Sequence, residues 1–269
     1  MTVRTYKGLR RTNIANGFVG GRAVDFPLVD VLVNLGCAAF GAAVSTGTGR
    51  TRRWLRQRSR DESVRKFFGT PARVIIIHSA VFDEPEQAWN YPATDTKAAR
   101  ALATLLEAAG MHEGVDFTVV PDRSVAINAE LWRNNLVLLC GPARNAVLDE
   151  IAPSLSMRYT MTVGADGRNV LTDHERETRM LSSREGGSPN NSNYDYGLIA
   201  SLPNPRQPLR RVVVLAGIHG TGTVGASGFV TDPGNLKTLN DRATDGIVSE
   251  VVRVDYGADI ETPTRMRLV

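Results

Sequence analysis

The sequence has few of the residues that build disulfide frameworks and metal centres. Its 269 residues include only two cysteines and four histidines. Cys37 and Cys140 lie in apolar stretches without paired spacing, which is typical of buried thiols in a reducing compartment. The histidines share no metal-ligand spacing, and no H-x-E or H-E-x-x-H motif occurs. We therefore expect neither a disulfide framework nor a bound metal.

The sequence also lacks a helix-turn-helix pattern and a surface that combines basic with aromatic residues, so DNA binding ranks last among its functions. Its net charge of +4 comes from an excess of arginine near the N-terminus. The basic run between residues 50 and 66 contains a single aromatic residue, Trp54, which is a poor stacking platform for single strands. The run is typical of a solvated helix face or of a contact with lipid headgroups, and nucleic acid is the less favoured partner.

No apolar run reaches the ~20 residues of an ordinary spanning helix. The nearest is the segment 26–48, whose core, Leu28 to Val44, is interrupted by Asp30 and Asn34. Two interpretations stay open: a short membrane helix with the following arginines on the cytoplasmic side, or a soluble helix that packs on a partner or in an oligomer. We expect a cytoplasmic protein, with inner-membrane association under the first interpretation.

The chain is predicted to have two parts. Residues 1–69 form a basic N-terminal extension with the apolar helix, and the segment 26–66 is expected to contact a membrane surface or a partner helix. Residues 70–269 alternate buried strands, such as Arg73–His78 and Asn135–Cys140, with helical segments. This alternation predicts an α/β domain with a Rossmann-like, mainly parallel sheet and flanking helices. We also expect a homo-oligomer.

One interruption of this pattern predicts an insertion. Two β-type segments, 157–163 and 169–172, bracket Asp166-Gly167, which is typical of a β-hairpin. Residues 173–195 are polar and contain Gly186-Gly187, and they are predicted to be a mobile surface loop.

Two stretches share the order apolar strand, glycine turn, helix start: 136–145 and 212–225. Such turns collect ligands at the carboxyl ends of parallel strands, where backbone N–H groups and helix N-termini attract anions. If the two strands are neighbours, both turns face one crevice and bind a phosphate or carboxylate. The predicted ligand-binding residues are Gly141, Arg144, Asn145, Gly217, His219, Gly220, Thr221, Gly222 and Thr223.

Catalytic residues are not defined by the sequence. His219 lies in a glycine turn, where it meets ligand more readily than core, and is the candidate general base. Its partner acid would be Asp195, Asp173 or Asp83. As nucleophiles, Ser79 lacks the G-x-S-x-G elbow and Cys140 is typical of a buried core thiol.

A set of motifs occurs in a characteristic order: KFFG (66–69), NLVLLCGPARN (135–145), DYGLI (195–199), NP (204–205) and VVVLAGIHGTGTVGA (212–226). In these motifs the chain resembles bacterial proteins whose membrane-proximal segment carries a Rossmann-like domain with GGPxxN and AGxxGxGTxxA motifs. Similar pairs occur in some archaeal surface-layer domains. The resemblance implies sensing of a nucleotide-type ligand in signalling or defence. Cys140 departs from it, because the pattern usually has its first glycine there.

The sequence favours a regulatory protein that binds a small phosphorylated or nucleotide-like ligand at its glycine turns and signals through the N-terminal helices. This nucleotide is the one cofactor-like molecule that we expect. Two other functions stay open. One is a nucleotide-directed hydrolase or glycosidase that uses His219, and the other is a structural module whose apolar helix packs between subunits.

Overall fold

The computed structural model of the chain describes residues 57–69, 71–126, 128–164, 166–186 and 192–269. The apolar helix predicted at 26–48 lies outside these residues. Within the described ranges, none of the helices has the length and apolar content needed to cross a bilayer.

The described residues alternate strands and helices along the chain. The strands are β1 (Val74–His78), β2 (Val81–Asp83), β3 (Ala88–Asn90), β4 (Phe117–Pro121), β5 (Asn135–Leu139), β6 (Tyr159–Val163), β7 (Asn169–Asp173), β8 (Thr178–Met180), β9 (Asn193–Asn204), β10 (Gln207–Gly217), β11 (Val248–Tyr256) and β12 (Pro263–Leu268). The helices are α1 (57–68), α2 (Ala93–Ala108), α3 (Asp122–Ala126), α4 (Ala146–Ile151), α5 (Ser183–Gly186), α6 (Gly220–Thr231) and α7 (Pro233–Arg242), with 3₁₀ turns at Leu131–Arg133 and Ala152–Ser154.

The centre of the fold is a seven-stranded sheet in the order β12-β11-β9-β10-β5-β1-β4. The strands β4, β1, β5 and β10 are parallel, whereas β9, β11 and β12 are each antiparallel to a neighbour. The predicted α/β class is confirmed, and the sheet is mixed. β9 and β10 are antiparallel because only Pro205 and Arg206 connect them, and a parallel connection needs a crossover of a dozen or more residues.

Both faces of the sheet are buried, since successive side chains of a strand point to opposite faces. In β1, Val74 and Ile76 pack with the helices α1, α2, α6 and α7. Ile75 and Ile77 pack on the other face with side chains of α3 and α4. The continuous apolar runs that predicted these strands follow from this two-sided burial.

Helix α1, assigned to the N-terminal extension from its charge, packs in the core of the α/β unit. Val64, Phe67 and Phe68 are at most 1% exposed. The side chain of Asn240 donates to Ser63 O at 2.9 Å, and that of Ser201 donates to Phe67 O at 2.7 Å. The described helix α1 therefore belongs to the same compact unit as the strands and helices that follow it. The reason is that the apolar face of this basic helix is completed by the two adjacent phenylalanines.

The predicted β-hairpin is present as β6 and β7, which pair from Tyr159↔Asp173 to Val163↔Asn169. The strand β8 extends it to a small three-stranded sheet. The prediction of a mobile loop at 173–195 is wrong for the described residues, because they include β8, α5 and the start of β9. Most of their polar side chains are exposed, but three are buried: Asp173, Ser182 and Asp195. Asp173 accepts two hydrogen bonds from the Arg158 guanidinium, at 2.8 and 3.1 Å.

Candidate functional site

The turns that follow β5 and β10 lie side by side. The two strands are parallel neighbours, with Val212 opposite Leu136 and Leu215 opposite Leu139. Their carboxyl ends open into a cavity of about 760 Å³, a volume typical of small-molecule sites. The chain segments 140–144 and 217–220 form two of its walls.

Five of the nine predicted ligand-binding residues line this cavity: Gly141, Arg144, Gly217, His219 and Gly220. The other four, Asn145, Thr221, Gly222 and Thr223, are buried and have other roles in the fold. The hydroxyl group of Thr223 accepts from Gly217 N at 2.9 Å, and the hydroxyl group of Thr221 donates to Ile260 O at 2.5 Å. These two hydroxyl groups therefore join backbone segments, and their residues do not line the cavity.

The turn after β5 is capped by its own residues. Asn145 is the N-cap of α4, and its side-chain oxygen accepts from Val147 N and Leu148 N, both at 3.1 Å. The same side chain donates to Leu139 O at 2.8 Å, which joins the helix start to the end of β5. These hydrogen bonds fix the backbone of the turn, and Arg144, directly before Asn145, lies at the cavity.

Arg144 is the cation of this site. Its side chain is exposed and lines the cavity. Within the described part of the chain, no carboxylate lies within ion-pair distance of its guanidinium group. A guanidinium group in this position can donate two parallel hydrogen bonds to a phosphate or carboxylate.

The turn after β10 is capped by a residue from another strand. The carboxylate of Asp195, in β9, accepts from Gly222 N at 2.7 Å, from Tyr196 N at 2.8 Å and from His219 N at 3.1 Å. Burial raises the pKa of this carboxyl group to about 7, against the lowering effect of the three N–H donors. The sequence predicts that the N–H groups at the start of α6 bind an anionic ligand. In the structure, those of His219 and Gly222 already donate to the side chain of Asp195.

The imidazole of His219 has a partner acid that the sequence analysis did not predict. Its Nε2 lies 3.2 Å from Oε1 of Glu185 and 3.0 Å from Oγ of Ser182, both in the segment predicted to be a loop. Asp195 contacts only the backbone of His219, and Asp173 is paired with Arg158. Burial lowers the pKa of the imidazole, so it is largely neutral at pH 7.

A second polar cluster lies where β1 and β5 end. Ser79 is fully buried and donates from its hydroxyl to Asp95, which lines the cavity beside Cys140. Burial raises the pKa of the Asp95 carboxyl group. Burial and the nearby Asp95 carboxylate raise the pKa of the Cys140 thiol to about 12. The thiol is therefore protonated at pH 7, and neither Cys140 nor the bonded Ser79 has the character of an activated nucleophile.

The wall opposite the turns comes from the inserted hairpin. Met161, Thr162 and Val163 of β6 and Asn169 and Val170 of β7 line the cavity. No local motif marks them, because their role depends on how the hairpin folds over the sheet. They make the cavity mainly apolar, with a few polar groups, which is the usual composition of a small-molecule site.

The described residues contain no group of three or more His, Cys, Asp or Glu side chains suited to a metal ion. Comparison of the chain with protein-family models, with curated proteins and with solved structures finds no match. The resemblance to membrane-proximal bacterial domains stays a prediction from the motifs.

Proposed function

We propose that this protein is a regulatory domain that binds a small nucleotide-like ligand in the cavity between the β5 and β10 turns. The observation that carries the proposal is Arg144, which has no ion-pair partner among the described residues and lies beside a mainly apolar cavity of about 760 Å³. A Rossmann-like arrangement, in which a ligand lies across adjacent strand ends, is part of the same proposal.

The two helix starts limit what kind of anion fits. Asp195 occupies the N–H groups at the start of α6, and Asn145 caps α4, so Arg144 is the group that meets the ligand's negative charge. A single guanidinium group matches one phosphate better than a polyphosphate. The apolar walls, with Met161 and Ile218, suit a nucleobase and sugar. A nucleoside monophosphate has this composition.

The proposed output passes through the N-terminal segment to a membrane surface or a partner helix. Its described part, α1, contacts the helix that follows α6. Lys66 donates to Asn240 O at 3.2 Å, and Asn240 donates to Ser63 O at 2.9 Å. Movement at the cavity wall formed by the start of α6 would reach α1 through α7.

The test is calorimetric titration of the full-length protein with AMP, GMP, CMP and UMP, with inorganic phosphate alongside. We expect Arg144→Gln to weaken binding at least about tenfold, because a charged hydrogen-bonded contact is lost. The matched control is Arg133→Gln, which removes an exposed arginine paired with Glu130, outside the cavity lining. Absence of nucleotide binding by the wild type, or equal binding by both variants, would overturn the proposal.

A second function, nucleotide hydrolysis, is favoured by one observation. The neutral imidazole of His219 lines the cavity and is held by Glu185, as a general base requires. Chromatography of the nucleotides after incubation with the protein tests this function in the same samples. Turnover that disappears in His219→Ala supports an enzyme, and binding without turnover supports a sensor.

A further inference from the structure

An exposed aromatic surface lies next to the cavity. Phe82 and Trp89 are opposite each other in the β2–β3 hairpin, with ring centroids 5.1 Å apart, and Tyr91 follows β3. These three residues, here called the aromatic platform, are 41%, 40% and 48% exposed. Soluble proteins seldom expose clustered aromatic residues without a binding role.

The platform is continuous with the cavity along the chain. Tyr91 precedes Pro92, and both Pro92 and Thr94 line the cavity. The Tyr91 ring meets His78 edge-on, with centroids 5.2 Å apart and planes at 81°. Such a contact leaves much of the ring in solvent, in agreement with its exposure of 48%.

A cation accompanies these rings. The guanidinium carbon of Arg123, at the start of α3, lies 4.2 Å from the centroid of the Trp89 ring. Arginine beside aromatic rings is the usual combination for stacking bases and neutralising their phosphates. The acidic residues Glu84 and Glu86 lie in the turn of the hairpin. A phosphate is therefore expected on the Arg123 side of the platform and away from the turn.

We propose that the ligand is of the dinucleotide class, with one nucleotide in the cavity and the second base stacked on the aromatic platform. The inference rests on the proposed function, since the first nucleotide occupies the cavity at Arg144. A second nucleotide that leaves the cavity past Pro92 meets Tyr91 next, and then Trp89 with its neighbouring Arg123. Any base can stack on an aromatic side chain. The platform is therefore expected to select for a ligand of two nucleotides and to discriminate little between second bases.

The experiment compares mononucleotides with 5′-phosphorylated dinucleotides on the full-length protein. AMP is titrated against pApA, and GMP against pGpG. We expect the dinucleotide of the preferred base to bind at least about tenfold tighter than its mononucleotide, the scale of one stacked base. Tyr91→Ala is expected to remove most of this gain without changing mononucleotide affinity, and Tyr91→Phe to retain it.

The control for a general loss of exposed apolar surface is Leu209→Ala, which truncates a side chain that is 87% exposed and outside the cavity lining. This variant should retain the dinucleotide gain. Mononucleotide binding with no gain for the dinucleotide, or a gain that survives in Tyr91→Ala, overturns this inference and leaves the proposed function standing. If wild-type protein binds neither kind of nucleotide, both proposals fail.

Discussion

The turn after β5 and the turn after β10 lie side by side, yet their helices begin on different kinds of cap. Helix α4 is capped by Asn145, the residue that directly precedes it. Helix α6 has no side-chain cap from its own N-cap residue, His219, and takes the carboxylate of Asp195 from β9. One cap is local in sequence, and the other depends on the assembled sheet.

The glycines of the two turns differ in the same way. A Cβ atom on Gly141 would meet only ordinary contacts, the nearest being Met161 Sδ at 3.5 Å. A Cβ atom on Gly222 would lie 2.3 Å from Tyr196 O and 2.8 Å from Gly217 Cα, both backbone atoms. The first glycine lines the cavity and has room for a Cβ atom, whereas the second lets α6 approach β9. A glycine-rich strand-to-helix turn is thus not by itself an anion site, because its glycines can serve packing.

The largest expected effect comes from adding one methyl group to each turn. Gly222→Ala should destabilise the protein by about 4 kcal/mol or more, since backbone must move to accept the Cβ atom. Gly141→Ala should change the free energy of unfolding by less than about 1 kcal/mol. Urea denaturation of both variants measures the difference. Similar losses in the two variants would contradict the distinction between a packing glycine and a cavity glycine.

The next largest effect is a dependence of stability on pH, which only the Asp195 cap is expected to cause, because the side chain of Asn145 does not titrate. Burial raises the pKa of the Asp195 carboxyl group to about 7 in the folded chain, from an ordinary value of 3.8. The folded chain therefore binds the proton of this carboxyl group more tightly than the unfolded chain does. The resulting contribution to stability is fully present below about pH 4 and is lost as the pH rises through about 7.

Asp195→Asn removes this titration. Between pH 4 and pH 7.5 we expect the free energy of unfolding of the wild type to fall, relative to this variant, by on the order of 3 kcal/mol. Urea denaturation of both proteins over this pH range gives the difference directly, since all other titrating groups are shared. Stability curves that run parallel across the range would show that Asp195 keeps its charge throughout.

The sequence predicts the elements whose signals are local. β1, β5 and β10 are continuous apolar runs, and the Asp166-Gly167 turn specifies its hairpin. The site depends on β5 and β10 being neighbours, which the apolar runs alone do not specify and which the parallel strand pairing shows.

What the sequence did not predict depends on contacts between distant residues. Asp195 lies 27 positions before Gly222 and at the end of a polar segment, so nothing local marks it as the cap of α6. Glu185 lies in the same segment, and the cavity wall at Met161 requires the folded hairpin. The polarity of residues 173–195 predicts a loop, whereas Asp173, Ser182 and Asp195 are buried and have hydrogen-bond partners in the fold.

The smallest expected effect concerns the one residue of the β5 turn that carries backbone strain. Cys140 has a φ of +73°, a left-handed conformation that favours glycine. Gly217, in the β10 turn, is not in this region, and its missing side chain instead makes room for His219 O, which would lie 2.2 Å from a Cβ atom. In the β5 turn the position whose φ favours glycine is therefore occupied by Cys140. In the β10 turn Gly217 is needed because the backbone of His219 lies close to it.

Cys140→Ala and Cys140→Gly test this point as a pair, because both remove the thiol and only glycine relieves the strain. We expect the glycine variant to be more stable than the alanine variant by about 1 kcal/mol, after allowance for its more flexible unfolded chain. In thermal unfolding this corresponds to a Tm difference of about 2–4 °C for a unit of this size. An alanine variant as stable as the glycine variant would place the turn outside the left-handed region.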